Sequence, residues 1–418
     1  MRMAKLFLTL ILMSGISLAR VQYKVLYNFN GTDGDTPQSL ISDQAGNLYG
    51  TTAFGGTNSD ADCNSHGCGT VFKLSPNGDG TWTQTVLYDF CAAGPHCQDG
   101  YNPTSGLVLD AAGNLYGTTL SGGPYGGGVA YKLSPPTQGG AWGMNLMYFF
   151  CAASLCADGE DPSGAVAIDA AGNFYGTTAS GGNNYNGLVF ELSPPTGQNL
   201  WWTESVLYDF CSVAQGKACL DGNNPIGGVT FDVSGNLIGT TAWGGQYHNH
   251  DCNDRGCGTV FKLSPSPGSW TYALLDAPVP SVGNAPGAPV TTDASGAAYG
   301  TFSEGGANGD GAIFKVFPNG EHASVPLVTA DGTYPQGPLV GGTNAVYGTA
   351  AGSGSDVPGT IFKMTSLGQE SVLYRFCSQK NCTDGEGPSA LVASSGSLFG
   401  VATGGGANGK GVVFELTP

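Results

Sequence analysis

Asp110-Ala-Ala-Gly-Asn-Leu-Tyr-Gly-Thr-Thr119 recurs almost unchanged as Asp169-Ala-Ala-Gly-Asn-Phe-Tyr-Gly-Thr-Thr178 and as Asp232-Val-Ser-Gly-Asn-Leu-Ile-Gly-Thr-Thr241. Weaker copies are centred on Tyr49, Tyr299, Tyr347 and Phe399. The glycines Gly50, Gly117, Gly176, Gly239, Gly300, Gly348 and Gly400 therefore mark seven units. Asp-x-x-Gly-Asn is turn chemistry, because Gly supplies a positive φ and Asp bonds back to the chain. Copies at this spacing imply a stacked array of supersecondary units, none of which buries its apolar face alone.

Each unit carries four short β-like runs bounded by Gly, Pro, Asn or Asp. In the second unit they are 106–110, 114–119, 128–134 and 145–150, designated strands A to D. No helical periodicity interrupts them. Seven units of four antiparallel strands describe an all-β, seven-bladed propeller better than a sandwich or a barrel. A D-like strand, Tyr23 to Phe29, opens the chain and a C-like strand, Val412 to Leu416, closes it. Their pairing would complete the last blade and leave no sheet unfinished. Residues 20–418 are thus expected to form one propeller domain.

The phrases Asn-Leu-Tyr-Gly-Thr-Thr at 47–52, Gly-Gly at 55–56, Gly-Thr-Val-Phe-Lys-Leu-Ser at 69–75 and Val-Leu-Tyr-Asp-Phe at 86–90 resemble the bacterial tandem repeats called GloVer. More loosely, the A-B-C pattern is similar to NHL-type propeller repeats. The resemblance covers nearly all of the chain after residue 19. It implies a secreted or surface-displayed propeller and brings with it no activity established for the class.

Composition narrows the partners. Charged residues are 11% of the 418, glycine accounts for 70, and the formal charge is −17. A long charged helical protein is excluded, and attraction to nucleic acid runs the wrong way. Residues 1–19 read as a signal peptide: Arg2 and Lys5, an apolar run from Leu6 to Ile16, then Ser17-Leu18-Ala19. Cleavage after Ala19 leaves no membrane span, and a monomer that is secreted, periplasmic or displayed at the cell surface is expected.

Twelve cysteines fall into six local pairs: Cys63/Cys68, Cys91/Cys97, Cys151/Cys156, Cys211/Cys219, Cys252/Cys257 and Cys377/Cys382. With a signal peptide these read as structural disulfides, and Cys-x₄-Cys repeated in separate units does not make a zinc set. Four pairs follow strand D and two lie between strands B and C. In a propeller those loops share one face, so all six bridges are expected to decorate one rim. Each bridge closes a short loop, so stiffening of loop shape is the main expected effect.

The D–A loops also repeat an acidic Asp-Gly element. Asp33, Asp35, Asp99, Asp158, Asp161, Asp221, Asp331 and Asp384 would form a carboxylate rim beside the bridges. It could attract cations or hold calcium weakly. The alternative is that Asp-Gly repeats because the turn repeats. Asp60-x-Asp62-x-Asn64 lacks the glycine and glutamate positions of a calcium loop, and His248-Asn-His250-Asp251 reads as a solvent-facing loop. No metal centre or cofactor is expected beyond that calcium alternative.

The tops of the A strands begin at Pro37, Pro103, Pro162, Pro225, Pro286, Pro335 and Pro388, followed by Gln, Thr, Ser, Ile or Gly. No His, Asp or Glu stands there to build a channel-mouth active site, and five histidines supply a Ser-His-Asp arrangement poorly. Strand-D tyrosines Tyr27, Tyr88, Tyr148, Tyr208 and Tyr374 alternate with phenylalanines and read as blade packing. Trp82, Trp142, Trp201, Trp202 and Trp270 lie in C–D connections, where edge packing and carbohydrate stacking remain open. The leading expectation is a non-catalytic propeller whose stiffened acidic loop face binds an extracellular protein, a glycan or cations. The alternative is a secreted carbohydrate-active hydrolase or lyase using loop carboxylates.

Overall fold

The computed structural model describes residues 21–418 apart from 64–65, 198, 248–251, 253–254, 328–331, 343 and 353–357. The expected signal peptide, Asp331, and His248, His250 and Asp251 lie outside the described residues. Seven four-stranded antiparallel sheets follow one another as blades, each in the order A-B-C-D. Blade 1 comprises Asp35–Ser42, Leu48–Phe54, Thr70–Pro76 and Trp82–Asp89. Blade 7 is built from Glu386–Ser394, Ser397–Gly404 and Val412–Thr417, and its fourth strand is Gln22–Asn28 from the start of the chain. Val25 sits opposite Phe414 and Tyr23 opposite Leu416, so the two ends close the ring as expected.

The recurring glycines have one cause each. A Cβ on Gly50 would lie 2.5 Å from the ring of Phe72, and one on Gly400 would lie 2.3 Å from that of Phe414. In all seven blades the strand-B glycine is where the strand-C aromatic crosses over its neighbour, Tyr131 taking that place in blade 2. These aromatics are the buried centres of the blades: Phe72, Phe190, Phe261, Phe314, Phe362 and Phe414 are out of contact with solvent. A fully buried side chain of this size contributes about 1.5–3 kcal/mol.

A second glycine, opening strand C, meets the next blade. A Cβ on Gly69 would lie 2.4 Å from Pro103, and Gly411 stands in the same relation to Pro37. Its φ is positive throughout, +95° at Gly69 and +90° at Gly411. The proline that opens strand A is therefore the block against which the preceding blade packs. Strand-B threonines add a hydrogen bond across the same seam: Thr118 Oγ1 donates to the Pro162 carbonyl at 3.3 Å and Thr177 Oγ1 to that of Pro225 at 2.5 Å.

Strand A of blade 2 is shorter than the sequence implies, Val108–Leu109 in place of 106–110. The Gly106 N–H donates to the carbonyl of Gly164 in blade 3, and Ala165 N–H to Gly227 in blade 4. At the ring's inner wall these residues bond to the neighbouring blade, not to their own strand B.

Candidate functional site

One face of the ring is made by the D–A and B–C loops, and both kinds of loop are tied together by backbone hydrogen bonds. The second glycine of each Gly-Gly pair donates to a D–A loop carbonyl: Gly123 to Cys97 at 3.0 Å, Gly182 to Cys156 at 2.9 Å, Gly245 to Cys219 at 2.9 Å and Gly406 to Cys382 at 2.9 Å. All six local disulfides are formed: Cys63–Cys68, Cys91–Cys97, Cys151–Cys156, Cys211–Cys219, Cys252–Cys257 and Cys377–Cys382.

All six belong to the loops of this one rim, but at different depths. Cys63, Cys68, Cys252 and Cys257, the two bridges of the B–C loops, are buried on both sides, and so are Cys97 and Cys219 in the D–A loops. Cys91, Cys151, Cys156, Cys211, Cys377 and Cys382 are half-buried. The cause is the next blade, whose D–A loop lies over each B–C bridge. Asn102 N–H donates to the Cys68 carbonyl at 2.9 Å, and Ala285 N–H donates in the same way to the Cys257 carbonyl at 3.0 Å. Between blades 1 and 2 two bridges touch: Cys97 Sγ is 3.6 Å from Cys63 Sγ and 4.0 Å from Cys68 Sγ. The two B–C bridges therefore lie beneath the face and hold it, whereas the D–A bridges Cys151–Cys156 and Cys377–Cys382 stay partly exposed in it.

Of the acidic residues expected to form a carboxylate rim beside the bridges, four turn inward. Asp99, Asp158, Asp221 and Asp384 are buried. Asp99 accepts from the Tyr88 hydroxyl at 2.6 Å and from the backbone N–H groups of Ala92 and Ala93 at 3.0 and 3.2 Å. Asp158 accepts likewise from Tyr148, Ala152 and Ala153, and Asp221 from Tyr208, Ser212 and Val213. Each carboxylate turns under the disulfide loop that precedes it and satisfies that loop's donors, which is why it faces inward. The strand-D tyrosines are its partners. Burial first, then the hydrogen bond to Asp99, pushes the Tyr88 phenol well above its ordinary range.

The remaining acids stay nearer the surface. Asp33 accepts from Asn30 N–H at 2.9 Å, Asp35 pairs with Lys410 at 2.6 Å, and Asp161 accepts from Ser180 Oγ at 2.9 Å. Asp60, Asp62 and His96 bring one ligand atom each within 4.8 Å of one another at the edge of this face, with His96 Nδ1 3.2 Å from Asp62 Oδ2.

Alongside polar side chains such as His96, Asn183, Lys217 and Gln379, this face exposes a set of apolar and aromatic ones. Tyr125, Tyr185 and Tyr247 are 57%, 60% and 44% exposed in the B–C loops of three consecutive blades. Leu155, Val213 and Tyr334 stand exposed in the D–A loops around them. The sequence signal was available: Gly122-Gly123-Pro-Tyr125, Gly181-Gly182-Asn-Asn-Tyr185 and Gly244-Gly245-Gln-Tyr247 place a tyrosine two or three residues beyond the anchored Gly-Gly pair. The more regular strand-D tyrosines mask it. The structure also settles the tryptophans. Trp82, Trp142, Trp202 and Trp270 pack between blades, and Trp201 projects from the opposite face.

The central channel is walled by the A strands and encloses about 430 Å³. Its polar groups include Gln38, Thr104, Ser163, Gln336 and Ser389, and no titratable residue is among the residues that line it. A strongly raised acid lies elsewhere. Glu204, on strand D of blade 3, is raised to about 7 by burial and then by the charge of Asp158. An acid raised in the folded state contributes stability that is complete below its unfolded value near 4.5 and is lost as pH rises through about 7. Glu204→Gln is therefore expected to match the parent at pH 4 and to exceed it by about 1–2 kcal/mol at pH 8.5, solvent screening included. Urea denaturation at the two pH values measures this, and equal curves at both would remove the premise.

The Gloeobacter/Verrucomicrobia repeat model matches residues 13–252 and 250–418, nearly the whole sequence. The chain belongs to that family. Among curated proteins none matches it. As a Gloeobacter/Verrucomicrobia repeat protein it shares its fold with the virginiamycin B lyase of Staphylococcus aureus, with 12% identity, TM-score 0.54, and 96% and 99% of the two chains covered. A polysaccharide lyase of family PL25, an ulvan lyase, gives 9% identity, TM-score 0.52, and coverage of 92% and 94%. At these identities the likeness is one of fold. Six disulfides are consistent with an extracellular or periplasmic location. Among the described residues no helix is long and apolar enough to cross a membrane.

Proposed function

We propose that this chain is a secreted, non-catalytic binding protein whose disulfide-stiffened loop face stacks on an uncharged glycan. The observation that carries this is the exposure of Tyr125, Tyr185 and Tyr247 on loops already fixed by the Gly-Gly hydrogen bonds. A tyrosine offers a large amphipathic surface with few rotors, so ordering it on contact costs little. Pre-fixed loops lower that cost further. Charge selects the ligand: at −17 the protein repels polyanions such as uronate- or sulfate-bearing chains. The ulvan lyase neighbour, described as bound to -[GlcA(1-4)Rha3S]-, handles the opposite kind of glycan. A channel wall without acid, base or nucleophilic pair supports binding over turnover.

The experiment is affinity electrophoresis of the mature protein in gels containing galactomannan, laminarin or xylan. Retardation by at least one is expected, and Tyr125→Ala/Tyr185→Ala/Tyr247→Ala together should weaken it at least tenfold, at about 0.5–1.5 kcal/mol per lost stack. Leu367→Ala, on the opposite face, should leave it unchanged. Retardation insensitive to the triple substitution, or none at all, overturns the glycan reading. New chain ends released from the polysaccharide overturn the non-catalytic one.

A further inference from the structure

A small cleft on the opposite face carries an inference independent of the glycan reading. In four blades a tryptophan at the start of strand D wedges against strand B of the blade before it. Trp82 meets Phe399 at 5.9 Å between ring centres, Trp142 meets Tyr49 at 6.3 Å, Trp270 meets Tyr175 at 6.0 Å, and Trp202 packs into the cluster containing Tyr116. The tryptophan enters the seam because the C–D hairpin is long enough to reach it: Pro76 pairs with Trp82 and Pro265 with Trp270, and Trp142 and Trp202 adjoin the last pairs, Ser134 with Gly143 and Ser193 with Thr203.

The hairpin of blade 6 closes earlier. Its turn runs from Thr365 to Gln369, with a 2.9 Å backbone bond between them, and Gly368 stands where the longer hairpins carry tryptophan. The seam between blades 5 and 6 consequently keeps a cavity of about 180 Å³, walled by Tyr299, Ile313, Phe314, Val325, Val346 and Met364. The aromatic receiving surface, Tyr299, is present without its wedge. Lys315 at the edge is already engaged: its Nζ lies 4.7 Å over the Tyr299 ring and 3.7 Å from the Asp293 carboxylate. The opening therefore presents no free charge to a ligand. The seam between blades 4 and 5 also lacks tryptophan, but there Ile238 replaces the receiving tyrosine and the lining is polar, with Asp232, Asn236 and Lys262.

We infer that the cleft between blades 5 and 6 binds an uncharged small aromatic molecule of indole size, placed where the protein's own tryptophan sits in four sister seams. An apolar cavity of about 150 Å³ is known to take up benzene and to stay dry without it. The cavity here is below the several hundred Å³ of a drug-sized site, which limits the ligand to one fused ring system.

The test is a titration of the full mature protein into 5-fluoroindole, followed by ¹⁹F line broadening. Saturable binding is expected below about 1 mM. Ala323→Trp, on the strand facing the cleft, should weaken it at least tenfold, and Val346→Phe serves if that variant does not fold. Replacing residues 365–369 by residues 75–83, the tryptophan-bearing hairpin of blade 1, should abolish binding and raise the melting temperature. Broadening that never saturates, or that persists unchanged in both the filled and the grafted proteins, overturns the assignment. A Gly-Trp-Gly peptide bound more than a hundredfold tighter than fluoroindole also overturns it, since the occupant would then be a protein side chain.

Discussion

Deletion of residues 21–29 is expected to abolish the cooperative fold of the ring, although the seven A-B-C triplets remain intact. The deleted stretch supplies strand D of blade 7, and without it Val412–Thr417 loses its outer partner along its whole length. Phe29 is fully buried, Tyr23 stacks on Tyr374 at 3.8 Å and its hydroxyl donates to the Asp384 carbonyl, and Val25, Leu26 and Tyr27 are half-buried. Losing five such side chains at about 1.5 kcal/mol or more each is comparable with the ~5–15 kcal/mol that holds a typical domain together. Calorimetry of the truncated protein should show no cooperative transition near that of the parent. A circular permutant that joins Pro418 to Val21 through a short Gly-Ser linker and opens in the hairpin at Gly139 should retain it. A truncated protein melting within a few degrees of the parent would mean that six complete blades hold the seventh in place unaided.

Much of this architecture was legible because it rests on local, repeated chemistry. The Asp-x-x-Gly-Asn turn at Asp43 is a closed set of bonds, with Ala45 N–H, Asn47 N–H, Asn47 Nδ2 and Tyr49 Oη all donating to one carboxylate. Burial raises that acid, but the four donors together outweigh it and hold Asp43 below its ordinary value. At Asp293 the same balance reaches about 2. Disulfide partners were legible for the same reason, being five to eight residues apart. The depth of the bridges was not, since Cys68 and Cys257 are covered by the D–A loop of the following blade, some thirty residues further along the chain. The inward turn of the D–A acids was hidden too, because it depends on a strand-D tyrosine ten to thirteen residues earlier, across a loop. One local clue did exist. Asp99, Asp158, Asp221 and Asp384 each stand two residues after the second cysteine of a pair, whereas Asp33, with no disulfide in its loop, stays near the surface. The spacing from a cysteine, not the Asp-Gly pair, marks the buried acid. The cleft between blades 5 and 6 was hidden for another reason: it arises from a hairpin shorter than the four that carry tryptophan, and sequence reading weighs what is present.

Asp384→Ala is expected to destabilise the protein by about 3–5 kcal/mol, the second large effect. Asp384 is 0% exposed and accepts from Tyr374 Oη at 2.7 Å, Ser378 Oγ at 2.7 Å, Ser378 N–H at 3.0 Å and Gln379 N–H at 3.3 Å. Alanine removes the acceptor and leaves those donors in a space that water enters poorly. A buried polar group left unpaired costs about 1–3 kcal/mol, and the costs within one network do not simply add. The same loop is closed by the Cys377–Cys382 bridge, and the carboxylate lies inside it, so bridge and acid hold one shape by different means. The bridge restricts the unfolded chain, while the acid acts only in the folded one. Asp384→Ala should therefore lower the urea midpoint in the oxidised protein, and the loss should persist after reduction. Asp384→Asn keeps one acceptor oxygen but turns an amide N–H₂ toward the loop's own donors, and is expected to fall between parent and alanine. Asp79→Ala, in the fully exposed hairpin turn of blade 1, should leave the midpoint essentially unchanged. A loss below about 1 kcal/mol for Asp384→Ala in oxidised protein, disappearing on reduction, would assign the loop's shape to the disulfide alone.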